Sequence, residues 1–473
     1  VPFYTRSMVY TMPEFLERRY NPQSRTILSV ISLVSYVLTK VAVTVYAGGL
    51  VFQQVFGIKE LWGIDFFWIA AIGLVVLTAL YTIFGGMKSV LYTSVLQTPI
   101  LLLGSLIILV LGFKELGGWD EMMRVCGAVT VNDYGDTMTN LIRSNDDANF
   151  PWLGALIGSA IIGFWYWCTD QFIVQRVLSG KNEMEARRGT IFGAYLKLFP
   201  VFLFLIPGMI AFALHQKYIG AGGEGFLPML ANGTANADAA FPTLVAKLLP
   251  AGVKGLVVCG ILAALMSSLA SLFNSSAMLF TIDFYKRFRP ETPEKKLVGI
   301  GQVATVVIVI LGILWIPIMR SVGDVLYTYL QDVQSVLAPG IAAAFLLGIC
   351  WKRTSAQGGM WGLIAGMIIG LTRLGAKVYY SNAGEVADST FKYLFYDMNW
   401  LFFCGWMFLF CIIVVIVVSL ATEAPTAEKI QGLVFGTATK EQKAATRASW
   451  DHWDIIHTVI ILAITGAFYW YFW

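Results

Sequence analysis

Long apolar stretches alternate with short polar connections along almost the whole sequence. A window of about 20 apolar residues is long enough to cross the roughly 30 Å hydrocarbon core of a membrane as a helix. The pattern predicts eleven such helices, at 26–54, 62–84, 88–113, 152–175, 190–214, 246–284, 297–318, 322–350, 356–376, 397–420 and 453–473. The chain is therefore predicted to be an all-α, multi-pass membrane protein.

Basic side chains gather in alternate connections between the predicted helices. Connections that stay in the cytoplasm are enriched in Lys and Arg, so this alternation sets the orientation of the chain. The basic residues of the N-terminal segment and of the alternate connections are Arg6, Arg18, Arg19, Arg25, Lys88, Arg176, Lys181, Arg187, Arg188, Lys286, Arg287, Arg289, Lys295, Lys296, Lys352, Arg353, Lys429, Lys440, Lys443 and Arg447. We expect them on the cytoplasmic side of a plasma or inner membrane. An odd number of spans then places the C-terminal Trp473 outside the cell or in the periplasm.

Glycine and proline indicate breaks in the helical pattern. Gly85-Gly86 lies between the second and third predicted spans and predicts the end of a helix there. Ala338-Pro339-Gly340 lies inside the eighth span, where proline removes a backbone hydrogen bond, and predicts an interruption in the form of a kink that frees backbone carbonyls. The sixth span, continued to Phe288, is longer than the bilayer is thick and has to tilt, kink or project from it.

Composition excludes several classes of function. Of 473 residues, 57% are hydrophobic and 13% are charged, which is not the composition of a soluble globular domain. The net charge of +4 is small for this length, and no Lys/Arg-rich run indicates a nucleic-acid-binding surface. The sequence contains no HExxH, GxSxG or phosphate-loop motif and no pair of catalytic carboxylates, which argues against an enzyme. The lipid bilayer is the partner that the composition implies.

Three polar residues, Thr169, Asp170 and Gln171, follow the aromatic run Trp165-Tyr166-Trp167 in the fourth predicted span. Polar groups are costly in hydrocarbon and usually mark a pathway or a binding site. The aromatic run is suited to cover a small polar ligand. The alternative is that Asp170 and Gln171 only tie helices together by hydrogen bonds.

Four further sets of polar residues lie within predicted spans. Lys40 either snorkels or pairs with a carboxylate, and the sequence assigns it no role in transport. Lys197, just before Pro200, is a candidate donor to a hydroxylated or anionic solute, with snorkelling as the alternative. The serines of 267–276 and the amide of Gln331 are candidate ligands, with helix packing as the alternative. Hydroxyl oxygens suit a hard cation, and amide and ammonium groups suit sugar hydroxyls, so their joint occurrence indicates ion-coupled transport.

Several segments resemble the sodium/solute symporter family, and within it the sodium/glucose cotransporter branch. They are Tyr10–Tyr20 (YTMPEFLERRY), Tyr166–Gln171 (YWCTDQ) with Gln175-Arg176 and Lys181-Asn182, Tyr195–Leu198 (YLKL), Ser267–Ser271 (SSLAS) with Phe273–Ser275, and Pro339–Gly348 with Trp351–Arg353. The resemblance extends over essentially the whole chain.

The resemblance implies the LeuT-type fold, in which fourteen spans are built on two inverted five-helix repeats, each with its first helix broken at the site. The chain, 1–473, is then a single transporter domain. It consists of a cytoplasmic lead-in (1–25), the remainder of the first repeat (26–113), the second repeat (152–350) and the peripheral helices (356–473). Eleven spans are three fewer than fourteen. We therefore expect the first three family helices, which supply part of the sugar and sodium sites, to be missing from this sequence.

The same resemblance implies roles for individual residues. Tyr166 is the expected inner gate beneath the sugar, with Trp167 beside it, and Tyr327 is the expected outer gate. Lys197 and Gln331 are expected to hydrogen-bond the sugar. The principal Na+ is expected on the carbonyl of Ala264 and the hydroxyls of Ser267 and Ser268, together with carbonyls of a missing helix.

Three departures from the family pattern change the expected substrate and stoichiometry. Ser94 stands where relatives have Asp in a Tyr-Thr-Asp motif, and Ala270 stands where the two-sodium glucose/galactose transporter has Thr. Only Ser271 is left of that second sodium site, so we expect one Na+ per sugar. Gly163 stands where relatives present Asn or Thr to the sugar, which leaves the identity of the substrate open.

Na+-driven symport of a monosaccharide such as glucose or galactose, by alternating access, is therefore the predicted function. A Na+-coupled myo-inositol or polyol symporter shares most of the same motifs and stays open as an alternative. An uncoupled sugar sensor or channel is a second alternative from a different class.

Overall fold

The computed structural model describes residues 1–7, 9, 11–230, 233–322, 325–383 and 387–472. Tyr10 and Trp473, which the sequence analysis singled out, lie outside these described residues. The helices of the first part of the chain are α1 (Pro2–Ser7), α2 (Met12–Arg19), α3 (Pro22–Ser35), α4 (Ala42–Phe56), α5 (Phe66–Leu116), α6 (Trp119–Gly127), α7 (Trp152–Phe164), α8 (Gln171–Leu178), α9 (Glu183–Pro200), α10 (Ile206–Gly220), α11 (Ala240–Leu248) and α12 (Ala251–Met278).

The second part of the chain is helical as well. Its helices are α13 (Lys286–Phe288), α14 (Glu294–Val322), α15 (Leu326–Cys350), α16 (Ala356–Asn382), α17 (Thr390–Lys392), α18 (Trp400–Ala421), α19 (Ala427–Ile430), α20 (Lys440–Ala448) and α21 (His452–Tyr471). The described residues contain one 3₁₀ turn, Ala237–Ala239. Several helices are joined by π-helical turns, which lie at Tyr36–Val41, Trp165–Thr169, Val201–Leu205, Leu279–Tyr285 and Tyr393–Asp397. Single π turns often occur at functional positions in helices.

A short hairpin precedes the longest helix. Strands β1 (Glu60–Leu61) and β2 (Ile64–Asp65) pair antiparallel, with Glu60 opposite Asp65. Trp62 and Gly63 form the two-residue turn with φ values of 55° and 77°, the left-handed geometry that closes such hairpins. Asp65 then caps α5, because its carboxylate accepts from the amide of Phe67 at 2.9 Å.

Ten helical segments among the described residues are long and apolar enough to cross a membrane. Each coincides with a predicted span, and they are Pro22–Phe56, Gln97–Leu116, Trp152–Thr169, Glu183–Gly220, Ala251–Phe288, Glu294–Met319, Leu326–Cys350, Ala356–Asn382, Trp400–Ala421 and His452–Tyr471. The remaining predicted span corresponds to the shorter apolar stretch Phe66–Leu80. The all-α, multi-pass architecture expected from hydropathy is thus confirmed.

The predicted helix end at Gly85-Gly86 is wrong. The backbone of α5 is helical without a gap through all 51 residues from Phe66 to Leu116. Glycine lowers helix propensity by about 1 kcal/mol but keeps its N–H, so a Gly pair weakens the hydrogen-bond ladder without breaking it. Spans two and three are therefore the apolar ends of one helix.

The helix is not interrupted at Ala338-Pro339-Gly340, since α15 is helical on both sides of Pro339 and through it, and the kink expected at this proline stays a prediction. Gly340 serves close packing instead. A Cβ atom built on Gly340 would lie 2.9 Å from the Cα of Gly366 in α16 and 3.2 Å from the carbonyl oxygen of Gly362. Small residues let membrane helices approach closely, so this glycine is explained by the α15–α16 contact.

The fourth predicted span, 152–175, is the one that breaks. Helix α7 ends in the π turn Trp165–Thr169, Asp170 takes an extended conformation with φ −79° and ψ 121°, and α8 begins at Gln171. Broken helices in this fold expose backbone and side-chain polar groups at membrane depth. The break lies within the stretch of polar residues that the sequence analysis placed in this span.

The chain forms two compact units, each assembled from separate segments. The first comprises Val1–Lys40, Asn145–Phe192 and Ser275–Ile460, and the second comprises Val41–Ser144, Gly193–Asn274 and Ile461–Trp473. Each unit takes residues from both predicted repeats.

The core of the first unit joins α2 to α15. Phe15, on α2, stacks on Phe345, on α15, with ring centroids 6.0 Å apart. Tyr20 donates from its hydroxyl to the carbonyl of Ala344 at 2.7 Å, and Arg19 donates from Nε to the carbonyl of Gly348 at 2.7 Å. Burial raises the pKa of Tyr20 well above its usual range, so the phenol remains a donor.

Candidate functional site

Asp170 occupies the break between α7 and α8 and caps the second of these helices. Its side chain accepts from the amide of Phe172 at 3.1 Å, and its own amide donates to the carbonyl of Trp165 at 3.1 Å. A carboxylate at a helix N-terminus satisfies free amides and is favoured by the helix dipole. This side chain is only 3% exposed, so its charge requires a partner.

Lys40 is that partner. Its Nζ donates to Oδ2 of Asp170, and the lysine side chain is 9% exposed. The hydroxyl of Tyr36 donates to Oδ1 of the same carboxylate at 3.1 Å and accepts from the amide of Phe172 at 3.0 Å. Both Tyr36 and Lys40 belong to the π turn Tyr36–Val41, so one turn supplies both contacts to the broken helix. The expectation that Lys40 pairs with a carboxylate is confirmed.

Aromatic rings surround the ammonium group of Lys40. Its Nζ lies 4.2 Å from the ring centre of Phe172, 4.8 Å from that of Tyr36, 5.5 Å from that of Tyr166 and 6.0 Å from that of Trp165. Ring faces attract a cation at these distances, and more strongly away from water. The predicted inner gate, Tyr166, is thus in direct electrostatic contact with the Lys40–Asp170 pair.

The remaining predicted residues of α7 and its π turn face open space. Trp167 is 51% exposed and packs edge-on against Tyr166 with ring centroids 5.1 Å apart. Gly163 lies one turn earlier, and a Cβ atom built on it meets nothing within 4 Å. A larger side chain at this position would therefore project into free volume.

Other polar residues of this region tie elements together. Gln171 accepts from the amide of Met12 at 2.8 Å, and Gln175 donates to the hydroxyl of Ser275 at 2.5 Å. Tyr4 donates from its hydroxyl to the carbonyl of Cys168 at 2.7 Å, and burial raises the pKa of Tyr4 far above its usual value. For Gln171 and Gln175, these contacts support the helix-tying alternative.

Gln331 and Tyr327 meet on α15. The amide of Gln331 donates to the hydroxyl of Tyr327, one turn earlier, at 2.9 Å. Tyr327 is 57% exposed and Gln331 is partly exposed, so both polar groups are accessible. Within the first unit, α15 packs against α7 and the Trp165–Thr169 turn. The structure therefore brings the helix of Gln331 and Tyr327 against the helix of Tyr166 and Gly163.

Next to Gln331 lies a charged group that the sequence analysis did not identify as a unit. Asp332 pairs with Lys377 through Oδ2 and lies 3.7 Å from Arg373 through Oδ1. Arg373 is fully buried, donates to the carbonyl of Met398 at 2.7 Å, and lies 4.0 Å above the ring of Phe403. The sequence does contain a signal for this group: Arg373 and Lys377 are four residues apart at the end of a predicted span, and that spacing places both on one face of a helix.

Lys197 belongs to the second unit and is exposed on α9, just before Pro200 and the π turn Val201–Leu205. Tyr166, Trp167, Gly163, Gln331 and Tyr327 all belong to the first unit.

The candidate sodium residues lie on α12, in the second unit. Ala264, Ser267 and Ser268 have the i, i+3, i+4 spacing that places them on one face of a helix. Ser267 is 8% exposed, and Ser268 is partly exposed. Their neutral oxygens fit a hard monovalent cation. The described residues contain no group of three or more His, Cys, Asp and Glu side chains placed to hold a metal ion.

Ser94 contacts this face from α5. The hydroxyl oxygens of Ser94 and Ser267 are 2.6 Å apart. Farther along the same pair of helices, a Cβ built on Gly260 would lie 3.1 Å from Ile100, so α5 and α12 pack closely. The other two residues of the degenerate second site, Ala270 and Ser271, are fully buried, and Ser271 donates to the carbonyl of Ser267 at 3.0 Å.

The chain matches a model of a known protein family. The model of the sodium:solute symporter family matches residues 1–370. The chain belongs to this family. Na+ is accordingly its coupling ion, and the protein is a multi-pass transporter rather than an enzyme.

Among solved structures, this sodium:solute symporter resembles the substrate-bound, outward-open state of a Na+-coupled sialic acid symporter. The TM-score is 0.69 at 21% identity, over 90% of this chain and 80% of that chain. The likeness shows the fold, which is the LeuT-type fold expected from the sequence.

The relatives of this symporter are named for several different solutes. The chain is 35% identical to the sodium/mannose cotransporter of Bos taurus, over all of the chain and 82% of the relative. It is 35% identical to the sodium/myo-inositol cotransporter 2 of Homo sapiens, over 92% of the chain and 66% of the relative. It is 37% identical to the sodium/glucose cotransporter 1 of Ovis aries, over 89% of the chain and 65% of the relative.

Proposed function

We propose that this symporter uses the Na+ gradient to move a monosaccharide, glucose or galactose, across the plasma membrane by alternating access. Relatives named for glucose and mannose at 35–37% identity support a sugar as the solute. The observation that carries the proposal is the serine face of α12, where Ser267 contacts Ser94 and Ser268 stays accessible. Neutral hydroxyl and carbonyl oxygens can coordinate a monovalent cation without requiring a buried carboxylate when the site is empty.

One Na+ would bind at the carbonyl of Ala264 and the hydroxyls of Ser267 and Ser268. Ser94, Ala270 and Ser271 offer hydroxyl and backbone oxygens but no carboxylate, so a second Na+ would lack a charged ligand. A single Na+ moving through about 100 mV contributes roughly 2.3 kcal/mol, and a tenfold Na+ gradient adds about 1.4 kcal/mol. Together they sustain a sugar gradient of several-hundred-fold at most, at about 1.4 kcal/mol per factor of ten.

The sugar would be held by polar and aromatic side chains. Gln331 and Tyr327 are accessible on α15, Lys197 is exposed on α9, and Tyr166 with Trp167 supplies the aromatic surface beneath the ring. Na+ binding favours the state that accepts sugar, because coupling is a difference in affinity between conformations. Loss of Na+ to the cytoplasm then releases the sugar past Tyr166.

The decisive test is uptake of labelled glucose and galactose into proteoliposomes under an inward Na+ gradient, for wild type, Ser268→Ala and Ser276→Ala. The hydroxyl of Ser276 is buried on the same helix without a hydrogen-bond partner, so this variant is the matched control. We expect uptake that overshoots equilibrium in wild type and control and that is lost in Ser268→Ala. Flux that never exceeds equilibrium and ignores Na+ would instead establish a channel or sensor.

Myo-inositol is the second candidate solute, because the human sodium/myo-inositol cotransporter 2 is 35% identical over 92% of the chain. A competition panel of glucose, galactose, mannose and myo-inositol against labelled glucose separates the candidates. Myo-inositol as the strongest competitor would replace the sugar assignment.

We further propose that helices preceding this sequence in longer family members complete the sodium and sugar sites. The uptake assay is therefore run with the chain alone and with the chain fused behind three additional N-terminal helices of the kind that the resemblance implies. Accumulation by the chain alone would contradict this part of the proposal. On the eleven spans of the hydropathy pattern, the basic connections are proposed to be cytoplasmic and Trp473 extracellular or periplasmic. A protease-cleavable tag after Trp473 tests this on intact cells. A tag that stays protected would instead fit ten spans, with the continuous helix α5 crossing once.

A further inference from the structure

An apolar groove runs along the side of the first unit. It has a volume of ≈ 620 Å³ and is bounded by α3, the π turn Leu279–Tyr285 and α14. Its walls are hydrocarbon side chains, including Leu33, Val37, Phe280, Val303 and Leu311. A sugar would lose its hydrogen bonds to water here without replacement, at a cost of several kcal/mol. The transported solute is therefore not its occupant.

The groove opens sideways, toward the surface that a membrane covers. Val303, Val307 and Leu311 line it from α14 and are 64%, 49% and 48% exposed. Exposed valine and leucine side chains on a membrane-spanning helix contact lipid chains rather than water. A molecule that enters the groove therefore comes from the bilayer.

One end of the groove carries a positive charge. Lys296 is part of the lining and is exposed at the start of α14. The connection from Lys286 to Lys296 holds five basic residues against two acidic ones. From Lys296 to Leu311 the helix rises about 22 Å at 1.5 Å per residue, which exceeds the roughly 15 Å depth of one leaflet. The groove thus has a charged end at the membrane surface and an apolar length that fits a lipid chain.

We propose that this groove binds an anionic phospholipid, with one acyl chain along α14 and the phosphate group on Lys296. Basic pockets between membrane helices attract anionic headgroups, and each basic residue near the surface contributes about 1 kcal/mol. A zwitterionic lipid offers the same chain but no net negative charge, so it binds the apolar walls without this preference. Val37, which lines the groove, lies in the π turn that also carries Lys40. A lipid bound in the groove is therefore expected to stabilise the π turn Tyr36–Val41, which contacts the break between α7 and α8.

Native mass spectrometry of the purified chain in mixed micelles tests the proposal with phosphatidylglycerol and phosphatidylcholine of identical chains. We expect wild type to retain phosphatidylglycerol preferentially and Lys296→Ala to lose about fivefold of that preference, the equivalent of about 1 kcal/mol. Lys295→Ala is the matched control, since Lys295 is exposed beside Lys296 but is not part of the lining. Equal losses in both variants would show diffuse attraction and overturn the site.

Filling the groove provides a second, independent test. A Cβ built on Gly299 meets nothing within 4 Å, and Gly299 is part of the lining, so Gly299→Leu places its side chain toward the groove. Ala304→Leu serves if the first variant does not fold. We expect either variant to reduce retention of both lipids. Glycerol phosphate without acyl chains is expected to leave the melting temperature unchanged. A rise with glycerol phosphate alone would identify a site for free phosphate groups and overturn the lipid assignment.

Discussion

Lys40 donates from Nζ to Oδ2 of Asp170, the residue at which the chain leaves one helix and starts the next. The two residues are 130 positions apart in the sequence, and both are almost fully buried. The pair therefore joins the π turn of one span to the break in another and lies against Tyr166, the proposed inner gate. Neither charge is tolerated in this environment without the other.

Removing one member of this pair is expected to destabilise the protein by about 3–5 kcal/mol, because it leaves an unpaired buried charge. Lys40→Met and Asp170→Asn each test this in reversible unfolding in detergent. The double variant is expected to recover most of the loss, since Asn still caps α8 and both charges are gone. Lys352→Met, at an exposed lysine in the connection after α15, is the control. Additive losses in the double variant would contradict a direct pairing.

Gly340 is expected to tolerate no larger residue. A Cβ at this position would lie 2.9 Å from the Cα of Gly366, and backbone cannot move aside as a flexible side chain does. We expect Gly340→Ala to lower the free energy of unfolding by about 1–3 kcal/mol. Gly375→Ala, in open space on α16, is the matched control and is expected to be neutral or stabilising by up to about 1 kcal/mol. Equal effects of the two substitutions would refute close α15–α16 packing at Gly340.

Gly163→Asn is expected to change the choice of solute without changing stability. The substituted side chain enters free volume one turn before Tyr166 and adds an amide at the position where the family resemblance implies an Asn or Thr facing the sugar. A shift in the KM ratio between glucose and myo-inositol, with an unaltered melting temperature, is the expected result. Gly163→Ala, which adds no polar group, should leave the ratio as in wild type. An unchanged ratio in Gly163→Asn would remove this position from the solute site.

Ser94→Asp is expected to introduce a second Na+ per transported sugar. The hydroxyl of Ser94 lies 2.6 Å from that of Ser267, so a carboxylate there adds a charged ligand beside Ser271. We expect the Hill coefficient for Na+ to rise from about one toward two and the limiting sugar gradient to approach the square of the wild-type value. Ser94→Asn, similar in size but neutral, should keep one Na+. Equal Hill coefficients for Na+ in Ser94→Asp and Ser94→Asn would contradict the proposal that Ser94 lies at a second sodium site.

The membrane-spanning segments and the family were available from the sequence alone. A membrane span needs about 20 consecutive apolar residues, so each span can be recognised from its own segment of the sequence. The serine face of α12 followed from helical spacing, and the motifs around Tyr166 and Gln331 carried the resemblance. These features need no knowledge of which segments meet.

Tertiary structure alone decided what depends on contacts between distant residues. The partner of Lys40, the contact of Ser94 with Ser267, and the grouping of Arg373 and Lys377 around Asp332 each join different helices. The resemblance implied a break in the first helix of the second repeat, but no proline or glycine signals its position at Asp170. Asp170 itself caps the second helix, and the buried Lys40 stabilises its carboxylate from another span. Conversely, Gly85-Gly86 and Pro339 carry strong local signals for a break, yet the helices continue through them. The retained N–H groups of Gly85-Gly86 and the packing of Gly340 against α16 outweigh a propensity of about 1–3 kcal/mol per residue, and the packing is not encoded in any single stretch of sequence.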